Sequence, residues 1–478
     1  MRLIHGGLAA GSLTAILVLA STPFAGAAST DSPALPDAAA LLAYARSLPP
    51  SSGPTNTSTG PGGATLPGLG TTGPATTEGG QLGGTEPAGR GTGQLPAIAP
   101  LPTLTAGRFR PKEVIVLLQP GATVDTARGL AQAFSLQLEV FVPSRLLGTP
   151  LVRLRIADGR SEAAVTAALR GDPRVRASQR NFIYAPATDQ TSRKSALPQY
   201  ALDVMGVEAA QSEAHGRRRP VIAIIDTGID DSHPDLLGSV LDRFDAVGDG
   251  NWDTGPHGTG IAGIIAAHGQ LIGIAPEATV LSIRAFPAGT GAAAEATSEA
   301  LVRGLDWATE QRADVINMSL AGPEDPFVDA AVTQAIAEGF IVVAAAGNDG
   351  PGSPPAHPAA VKGVIAVTAT DQQDSLFSGA NHGAYISLAA PGVDILSAST
   401  GGGYNLATGT SQAAANVSGV IALLRSIRPN LTPAAALSLV ERSAKDLGTP
   451  GTDDSFGAGR IDATAALKAL ESGQQALQ

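Results

Sequence analysis

Between about positions 221 and 370, short apolar runs rich in β-branched residues alternate with segments of helical pattern. The apolar runs are VIAIID, TVLSIRAF, DVINMSL, FIVVAAAG and GVIAVTAT, and helical patterns such as SEALVRGLDWATEQR and VDAAVTQAIAEG lie between some of them. Continuous apolar runs of this kind predict parallel strands that are buried on both faces. Their alternation with helices predicts a parallel sheet covered by helices on both sides, a three-layer α/β fold.

Three side chains with complementary acid–base chemistry stand at a strand end and two helix starts. Asp226 ends the run VIAIID, His257 opens the segment HGTGIAGIIAAHG, and Ser411 lies between a glycine turn and the helical run VSGVIALLRSI. Strand ends collect catalytic groups, and a helix N-terminus favours a developing negative charge. Taken singly, each residue is better explained as a turn residue or a helix cap. Taken jointly, they follow one of the three chain orders known for a serine triad.

From about Leu197 to about Leu470 the chain resembles the subtilisin-like serine proteases, the subtilases. Besides the three motifs above, AAAGNDG resembles the strand end that carries the oxyanion asparagine of that family, here Asn348. APGVDILSA and FGAGRIDATAAL resemble the closing stretches of the same fold. The segment NMSLAG resembles the segment that lines the substrate cleft, and its cleft residues are Ser319, Leu320, Ala321 and Gly322.

The resemblance implies a role for each candidate. His257 would take the proton of the Ser411 hydroxyl, and Asp226 would orient the imidazole and stabilise its charged form. The side-chain amide of Asn348 and the backbone N–H of Ser411 would donate to the oxyanion. Ala321, where the family commonly has glycine, would narrow the pocket slightly, and we expect broad cleavage after apolar or small residues.

The serine motif departs from the family pattern. GTSQAAAN stands where GTSMAAPH is usual, so Gln412 replaces methionine, Ala415 replaces proline and Asn416 replaces histidine. Gln412 lacks the oxidisable thioether and would crowd or hydrogen-bond the oxyanion region, which makes the rate less certain than the reaction. None of these changes removes a triad atom.

A dinucleotide-binding fingerprint is present but out of context. Gly258, Gly260 and Gly263 form GxGxxG, yet the preceding residues WDTGP form a turn and not a strand. Small residues at these positions also permit close helix packing. Gly260 stands where the family commonly has a second histidine. We therefore expect no nucleotide cofactor.

No cofactor is expected to be required, and a structural calcium ion is the weaker alternative. Asp235, in HPD, resembles the region that supplies one carboxylate of a stabilising calcium site in the family. The partner loop AAHGQLIGIAP is shorter than the calcium-binding version and lacks its asparagines. Calcium needs six to eight oxygen ligands, so a turn role for Asp235 is favoured.

The N-terminal part predicts an export route. Arg2, the apolar stretch LAAGSLTAILVLA and the small-residue end PFAGAAS fit a signal peptide over 1–28, cut after Ala27 or Ala28. An uncleaved membrane anchor is the alternative, although the apolar core is short for a span. The Pro-, Gly-, Ser- and Thr-rich stretch 29–108 predicts a linker that buries too little apolar surface to fold.

Residues 109–186 predict a second folded unit. Their pattern is strand, helix, strand, strand, helix, strand, the order of a ferredoxin-like α+β domain. The unit resembles the inhibitory propeptide of many subtilases, which would lay its last strand in the substrate cleft. An ordinary accessory domain is the alternative. Self-processing would fall within 187–199, where the pair Arg193 and Lys194 does not by itself assign the bond, and the catalytic domain would span 196–472.

Composition limits the partners. The absence of cysteine excludes disulfides and thiolate catalysis, and the net charge of −11 argues against nucleic acid and anionic membranes as partners. We predict a secreted, monomeric serine endopeptidase, extracellular or periplasmic, made as a self-processing zymogen that acts on proteins or peptides and has no stable membrane span after signal cleavage. The alternatives are a processing protease of narrow specificity and a catalytically weak binding module with the same fold.

Overall fold

The computed structural model describes residues 108–186, 199–287 and 295–475. The predicted signal peptide, the linker up to residue 107 and the segment 187–198 lie outside these residues. Within the described part of the chain, no helix is both long and apolar enough to cross a bilayer. The strands are β1 Phe109–Leu118, β2 Leu136–Ser144, β3 Thr149–Ile156, β4 Val175–Pro186, β5 Val221–Asp226, β6 Val240–Asp245, β7 Thr279–Arg284, β8 Ala296–Thr297, β9 Val315–Met318, β10 Leu320–Ala321, β11 Ile341–Ala345, β12 Ile365–Thr370, β13 Leu388–Pro391, β14 Ile395–Ser399 and β15 Gly403–Ala407.

Helices connect most of these strands. A short 3₁₀ turn at Pro234–Leu236 follows β5. The helices are α1 Val124–Ala133, α2 Glu162–Leu169, α3 Tyr200–Val204, α4 Val207–Ala214, α5 Pro256–Ala266, α6 Ser298–Glu310, α7 Pro326–Ala337, α8 Thr410–Ile427, α9 Pro433–Ser443 and α10 Ala463–Gln475.

The larger region is built on a seven-stranded sheet in the order β13-β12-β11-β9-β5-β7-β6. Every neighbouring pair in it is parallel, as the continuous apolar runs predict. Alternate residues of β5 serve opposite faces: Ile222 and Ile224 belong to one core, and Ala223 and Ile225 to the other. Helix α8 covers the first face, and α6 and α7 cover the second. The predicted three-layer α/β fold is confirmed.

Some helix limits differ from the sequence pattern for identifiable reasons. Helix α7 begins at Pro326, two residues before the predicted start, because Asp325 caps it and proline fits the first helical position. Helix α6 begins where predicted, with the Thr297 side chain accepting from the N–H of Ala300. Strands β6 and β8 and the hairpin β14–β15 were not predicted, because their short or mixed polar sequences lack a clear apolar run.

The smaller region contains β1, α1, β2, β3, α2 and β4, the predicted order of elements. Its antiparallel strands pair in the order β4-β1-β3-β2. Val114 and Val116 face its own helices, whereas Ile115 and Leu117 belong to the core that contains α6 and α7 of the larger region. The smaller sheet therefore rests one face on the helices of the larger region.

Polar contacts accompany this docking. Arg153 pairs with the buried carboxylate of Glu299 at 3.0 Å, and Arg145 pairs with Glu338 at 2.8 Å. The backbone N–H of Leu146 donates to Asp306 Oδ1 at 2.7 Å. Basic groups on the smaller region thus meet acidic groups on α6 and the end of α7.

Strand β4 belongs to both regions. Its first part pairs with β1, and its last four residues run antiparallel to short strands of the larger region. Ile183 and Tyr184 pair with β8, while Ala185 pairs with Ala321 and Pro186 with Leu320 in β10. The end of β4 is thereby paired with the predicted cleft segment.

Candidate active site

Asp226 lies at the carboxyl end of the central strand β5 and is fully buried. Its Oδ1 accepts from the backbone N–H of Thr227 at 2.6 Å. Both carboxylate oxygens lie within hydrogen-bond distance of His257 Nδ1, at 2.7 and 2.9 Å. The strand end and the backbone contact thus fix a buried carboxylate against one nitrogen of the imidazole.

His257 stands in the first turn of α5, and a glycine brings that turn close to β5. A Cβ on Gly258 would lie 2.3 Å from the carbonyl oxygen of Thr227, so only glycine permits this approach. The N–H of Gly258 donates to Thr227 Oγ1 at 2.9 Å. Since Nδ1 faces a carboxylate, the proton belongs on Nδ1. The other nitrogen, Nε2, is buried and has no hydrogen-bond partner among the described residues, which leaves its lone pair free to accept.

Ser411 is the second residue of α8 and is fully buried. Its Oγ donates to the carbonyl oxygen of Ser319 at 2.8 Å, and Ser319 Oγ donates to the carbonyl oxygen of Ser411 at 3.0 Å. Among the described residues, no hydrogen bond joins Ser411 to His257. The structure therefore brings the candidate nucleophile to the cleft segment, and a change of its χ1 rotamer would change the partner of the hydroxyl.

Asn348 follows β11 and is held by the residue before Ser411. Its Oδ1 accepts from the backbone N–H of Thr410 at 3.1 Å and from Thr410 Oγ1 at 2.9 Å. These two bonds assign the oxygen of the amide and leave Nδ2, a donor that is buried without a partner in the described part of the chain. A buried, unpaired donor bonded to the residue before the candidate nucleophile is the kind of group that stabilises an oxyanion.

The departures from the family serine motif have structural counterparts. Asn416 Nδ2 donates to the carbonyl oxygen of Pro391 at 2.9 Å, which ties α8 to the end of β13. Ala414 and Ala415 are buried in the core that lies between α8 and the sheet. Gln412 is buried, and its Oε1 lacks a partner within the described residues. Two of the three departures, Ala415 and Asn416, are therefore explained by packing and anchoring, and Gln412 keeps one polar atom unpaired.

The cleft segment Ser319–Gly322 is covered by the end of β4. Leu320 is buried, and the backbone of Gly322 exchanges two hydrogen bonds with His357, at 2.9 and 3.0 Å. A Cβ on Gly322 would lie 2.3 Å from the ring of Tyr184, which is fully buried. Burial, together with the nearby carboxylates Asp325 and Asp329, raises the pKa of the Tyr184 phenol well above its ordinary value. The predicted cleft segment thus contacts an aromatic side chain from the smaller region.

A buried polar network beside the cleft was missed by the sequence reasoning. Asp325 accepts from Gln179 Nε2 at 2.8 Å, from Ser298 Oγ at 2.5 Å and from the N–H of Phe327 at 3.0 Å. Ser298 Oγ in turn accepts from the N–H of Phe182 at 3.1 Å. The Asp-Pro pair before an apolar run could have indicated the helix cap. No sequence signal indicated that Gln179 and Phe182 join it from the smaller region.

The chain is similar to known proteases in sequence. Residues 217–459 match the subtilase family. Over 313 residues the chain is 35% identical to a thermophilic serine proteinase of Bacillus sp. (strain AK1), covering 64% of this chain and 75% of that protein. Over 300 residues it is 34% identical to the minor extracellular protease Epr of Bacillus subtilis (strain 168), covering 61% of this chain and 45% of that protein.

The fold is also found among solved structures. Fervidolysin from Fervidobacterium pennivorans, a keratinolytic enzyme related to subtilisin, superposes with a TM-score of 0.65 at 24% identity. The match covers 76% of this chain and 62% of that chain. Sequence and fold together confirm the predicted resemblance: the chain belongs to the subtilase family of serine-type endopeptidases.

Proposed function

We propose that this chain is a self-processing zymogen whose protease activity uses Asp226, His257 and Ser411 as the triad and Asn348 as an oxyanion donor. The observation that carries the proposal is that two buried atoms at the site, His257 Nε2 and Asn348 Nδ2, have no hydrogen-bond partner among the described residues. One accepts and the other donates, and because an unpaired buried polar group is costly, its presence needs an explanation such as a catalytic role. Attack by a hydroxyl on a carbonyl needs one group of each kind.

The chemistry proceeds in two stages. The Ser411 hydroxyl adds to the substrate carbonyl while its proton passes to His257 Nε2, and Asp226 stabilises the imidazolium. Asn348 Nδ2 and the N–H of Ser411 donate to the oxyanion of the tetrahedral intermediate. His257 then gives the proton to the leaving amine, which releases the first product and leaves an acyl group on Ser411. Water, deprotonated by His257, hydrolyses that ester.

The smaller region acts as the inhibitory propeptide in this proposal. The antiparallel pairing of Ala185 and Pro186 with Ala321 and Leu320 supports it, because an extended peptide added between β8 and β10 occupies the cleft as a substrate would. The division into 1–28, 29–108, 109–186 and 196–472 is part of the same proposal. An accessory domain would have no need to enter the cleft.

The register suggests which bond is cut. Pro186 pairs with Leu320, and Ser319, whose carbonyl accepts from Ser411, precedes Leu320 by one residue. Counting one residue beyond Pro186 in the antiparallel sense reaches Ala187. We therefore expect cleavage after Ala187, at the start of the segment 187–199, instead of at the basic pair Arg193 and Lys194.

Expression of the full chain with its own N-terminus tests these points together. For the wild type, we expect a mature protein in the medium that starts at Thr188. Ser411→Ala should stay joined to residues 109–186, as shown by intact mass. Identical maturation of both proteins would show that this serine does not process the chain, and a different N-terminus would contradict the register argument alone.

Two further assays separate the alternatives. A fluorophosphonate probe should label the mature wild type at Ser411, and absence of labelling would favour a binding module. Hydrolysis of casein should accompany self-cleavage, whereas self-cleavage without casein hydrolysis would favour a processing protease of narrow specificity. Secretion, a monomeric state and the lack of a required cofactor belong to the proposal, and the extracellular assignment in the name of one Bacillus relative supports secretion.

A further inference from the structure

Asp235 is buried in the 3₁₀ turn after β5, and hydrogen-bond donors surround its carboxylate. Oδ1 accepts from the backbone N–H of Gln270 at 2.9 Å. Oδ2 accepts from the N–H of Leu271 at 2.8 Å and from the Tyr404 hydroxyl at 2.7 Å. Each contact directs a hydrogen at the carboxylate.

The neighbouring residues fit the same arrangement. His233 Nε2 contacts the carbonyl oxygen of Gly403 at 2.9 Å and therefore donates, which leaves Nδ1 to accept from the N–H of Asp235 at 3.1 Å. The His233 and Tyr404 rings meet edge to face, with centroids 5.4 Å apart. A Cβ on Gly269 would lie 2.0 Å from Asp235 Oδ1, so a glycine is needed for the loop to wrap this closely.

The family resemblance implies a calcium ligand at Asp235, and the residues present do not fit that role. A calcium site needs six to eight oxygen ligands at roughly 2.3–2.6 Å, whereas the groups facing this carboxylate are two N–H groups and one O–H group. Within the described residues, no group of three or more His, Asp or Glu side chains could hold a metal ion. A cation beside Asp235 would have to displace donors that already satisfy the buried charge.

The donors also keep the carboxylate ionised. Burial alone would raise the pKa of Asp235, but the bonds from Tyr404, Leu271 and Gln270 lower it below its ordinary value. Burial and the negative charge of Asp235 raise the pKa of the Tyr404 phenol, so the phenol remains a donor at neutral pH.

We propose that a cation-free clasp, made of Asp235 with Gln270, Leu271 and Tyr404, takes the place of the calcium site in this chain. The clasp ties three segments that are far apart in sequence. One is the turn after β5, one is the loop after α5, whose first turn carries His257, and one is the hairpin that precedes α8 and Ser411. Hydrogen bonds to a buried carboxylate hold these segments where an ion and its ligands would otherwise do so.

Thermal unfolding of the full-length Ser411→Ala protein tests the clasp, independently of whether the catalytic proposal holds. Tyr404→Phe removes one donor and should lower Tm by roughly 3–8 °C. Asp235→Asn removes the charge and one acceptor and should lower it further. The matched control is Tyr200→Phe, which removes a hydrogen bond from a buried phenol to the neutral carbonyl oxygen of Val393. This variant should lower Tm by less than Tyr404→Phe does.

The same proteins are then measured in millimolar calcium chloride and in millimolar EGTA. We expect the difference in Tm between the two conditions to be the same for the Ser411→Ala parent and for its Asp235→Asn derivative, whether that difference is zero or arises elsewhere. A calcium-dependent gain that is larger in the parent would show that calcium binds at Asp235 and would overturn the proposal. An unchanged Tm in Tyr404→Phe would also overturn it, because the clasp would then contribute nothing.

Discussion

The two folded regions of this chain bury their sheets in different ways. The seven-stranded parallel sheet is covered on both faces by helices that belong to the same region, so alternate residues of β5 each find a core. The smaller antiparallel sheet has its own helices on one face only, and Ile115 and Leu117 on the other face depend on α6 and α7. The larger sheet is thus covered by helices of its own region, whereas the smaller sheet is covered on one face by helices of its neighbour.

Charged side chains at the contact are also divided between the two regions. At the contact, arginines of the smaller region meet a carboxylate of α6 and one directly after α7, and burial raises the pKa of Glu299 despite the attraction of Arg153 and Arg303. The atoms proposed for catalysis lie in the larger region, while the atoms that cover the cleft come from the smaller one. Chemistry and inhibition should therefore respond to different substitutions.

Asn348→Ala should produce the largest effect and should change chemistry alone. We expect kcat to fall by about 10² to 10³, or about 2.7–4 kcal/mol of transition-state stabilisation, a magnitude taken from the oxyanion asparagine of subtilisin itself. Steady-state hydrolysis of a peptide ester or amide by the mature enzyme measures it. An unchanged kcat would remove Asn348 from the mechanism. Weaker binding of the smaller region by the variant would contradict the expectation that chemistry and inhibition respond to different substitutions.

The titration of Asp306 should produce a smaller effect, confined to the docking of the smaller region on the larger one. Burial raises its pKa from 3.8 to about 6, although the N–H of Leu146 and the charge of Arg145 favour the ionised form, and Glu310 adds to the rise. The docked state therefore holds the proton more tightly than the separated state. Docking should be strongest below about pH 4 and should weaken as pH rises through about 6, by roughly tenfold to a hundredfold in Kd.

Calorimetric titration between pH 4 and 7 measures this dependence, with a peptide of residues 108–187 added to a Ser411→Ala chain that is produced from Thr188 onward and therefore needs no self-processing. Asp306→Asn is the matched variant and should make the profile less steep in that window, while any pH dependence from Glu299 or from the folding of the added peptide remains in both proteins. Parallel profiles for the two enzymes would show that Asp306 does not couple docking to pH.

Gln412→Met should produce the smallest effect on turnover and leave docking unchanged. The Gln412 side chain is buried, it follows Ser411 directly in the sequence, and methionine has a similar volume, so we expect kcat to change by less than about threefold. The variant should lose activity in hydrogen peroxide, whereas the wild type should resist oxidation at this position because glutamine has no thioether. Equal loss of activity in both proteins would place the sensitive residue elsewhere.

The sequence allowed the parallel sheet and its strand ends to be predicted, because apolar runs and their spacing reflect burial and connectivity directly. It also allowed Asp226 to be paired with His257, because a carboxylate at a strand end, a histidine at a helix start and Ser411 follow one of the chain orders known for a serine triad. The bond from Ser411 to Ser319, by contrast, depends on one rotamer of a hydroxyl. The buried hydrogen bond between Asp325 and Gln179 joins residues that are 146 positions apart in the sequence, and the bond between Asp235 and Tyr404 joins residues that are 169 positions apart. Periodicity indicates which face a residue occupies, but it does not identify the distant neighbour on that face.

Under the proposed self-processing, the pairing of β4 with strands of both regions would separate the cutting of the chain from the appearance of activity. A cut after Ala187 would leave the pairing of β4 with β1, β8 and β10 in place, together with the buried ring of Tyr184. The first product would therefore stay in the cleft after its bond had been broken. The dissociation or degradation of the smaller region would then set the delay before a newly made molecule cleaves other proteins. In a culture, this delay would be measured as a lag in activity whose length is independent of the rate of the first cleavage.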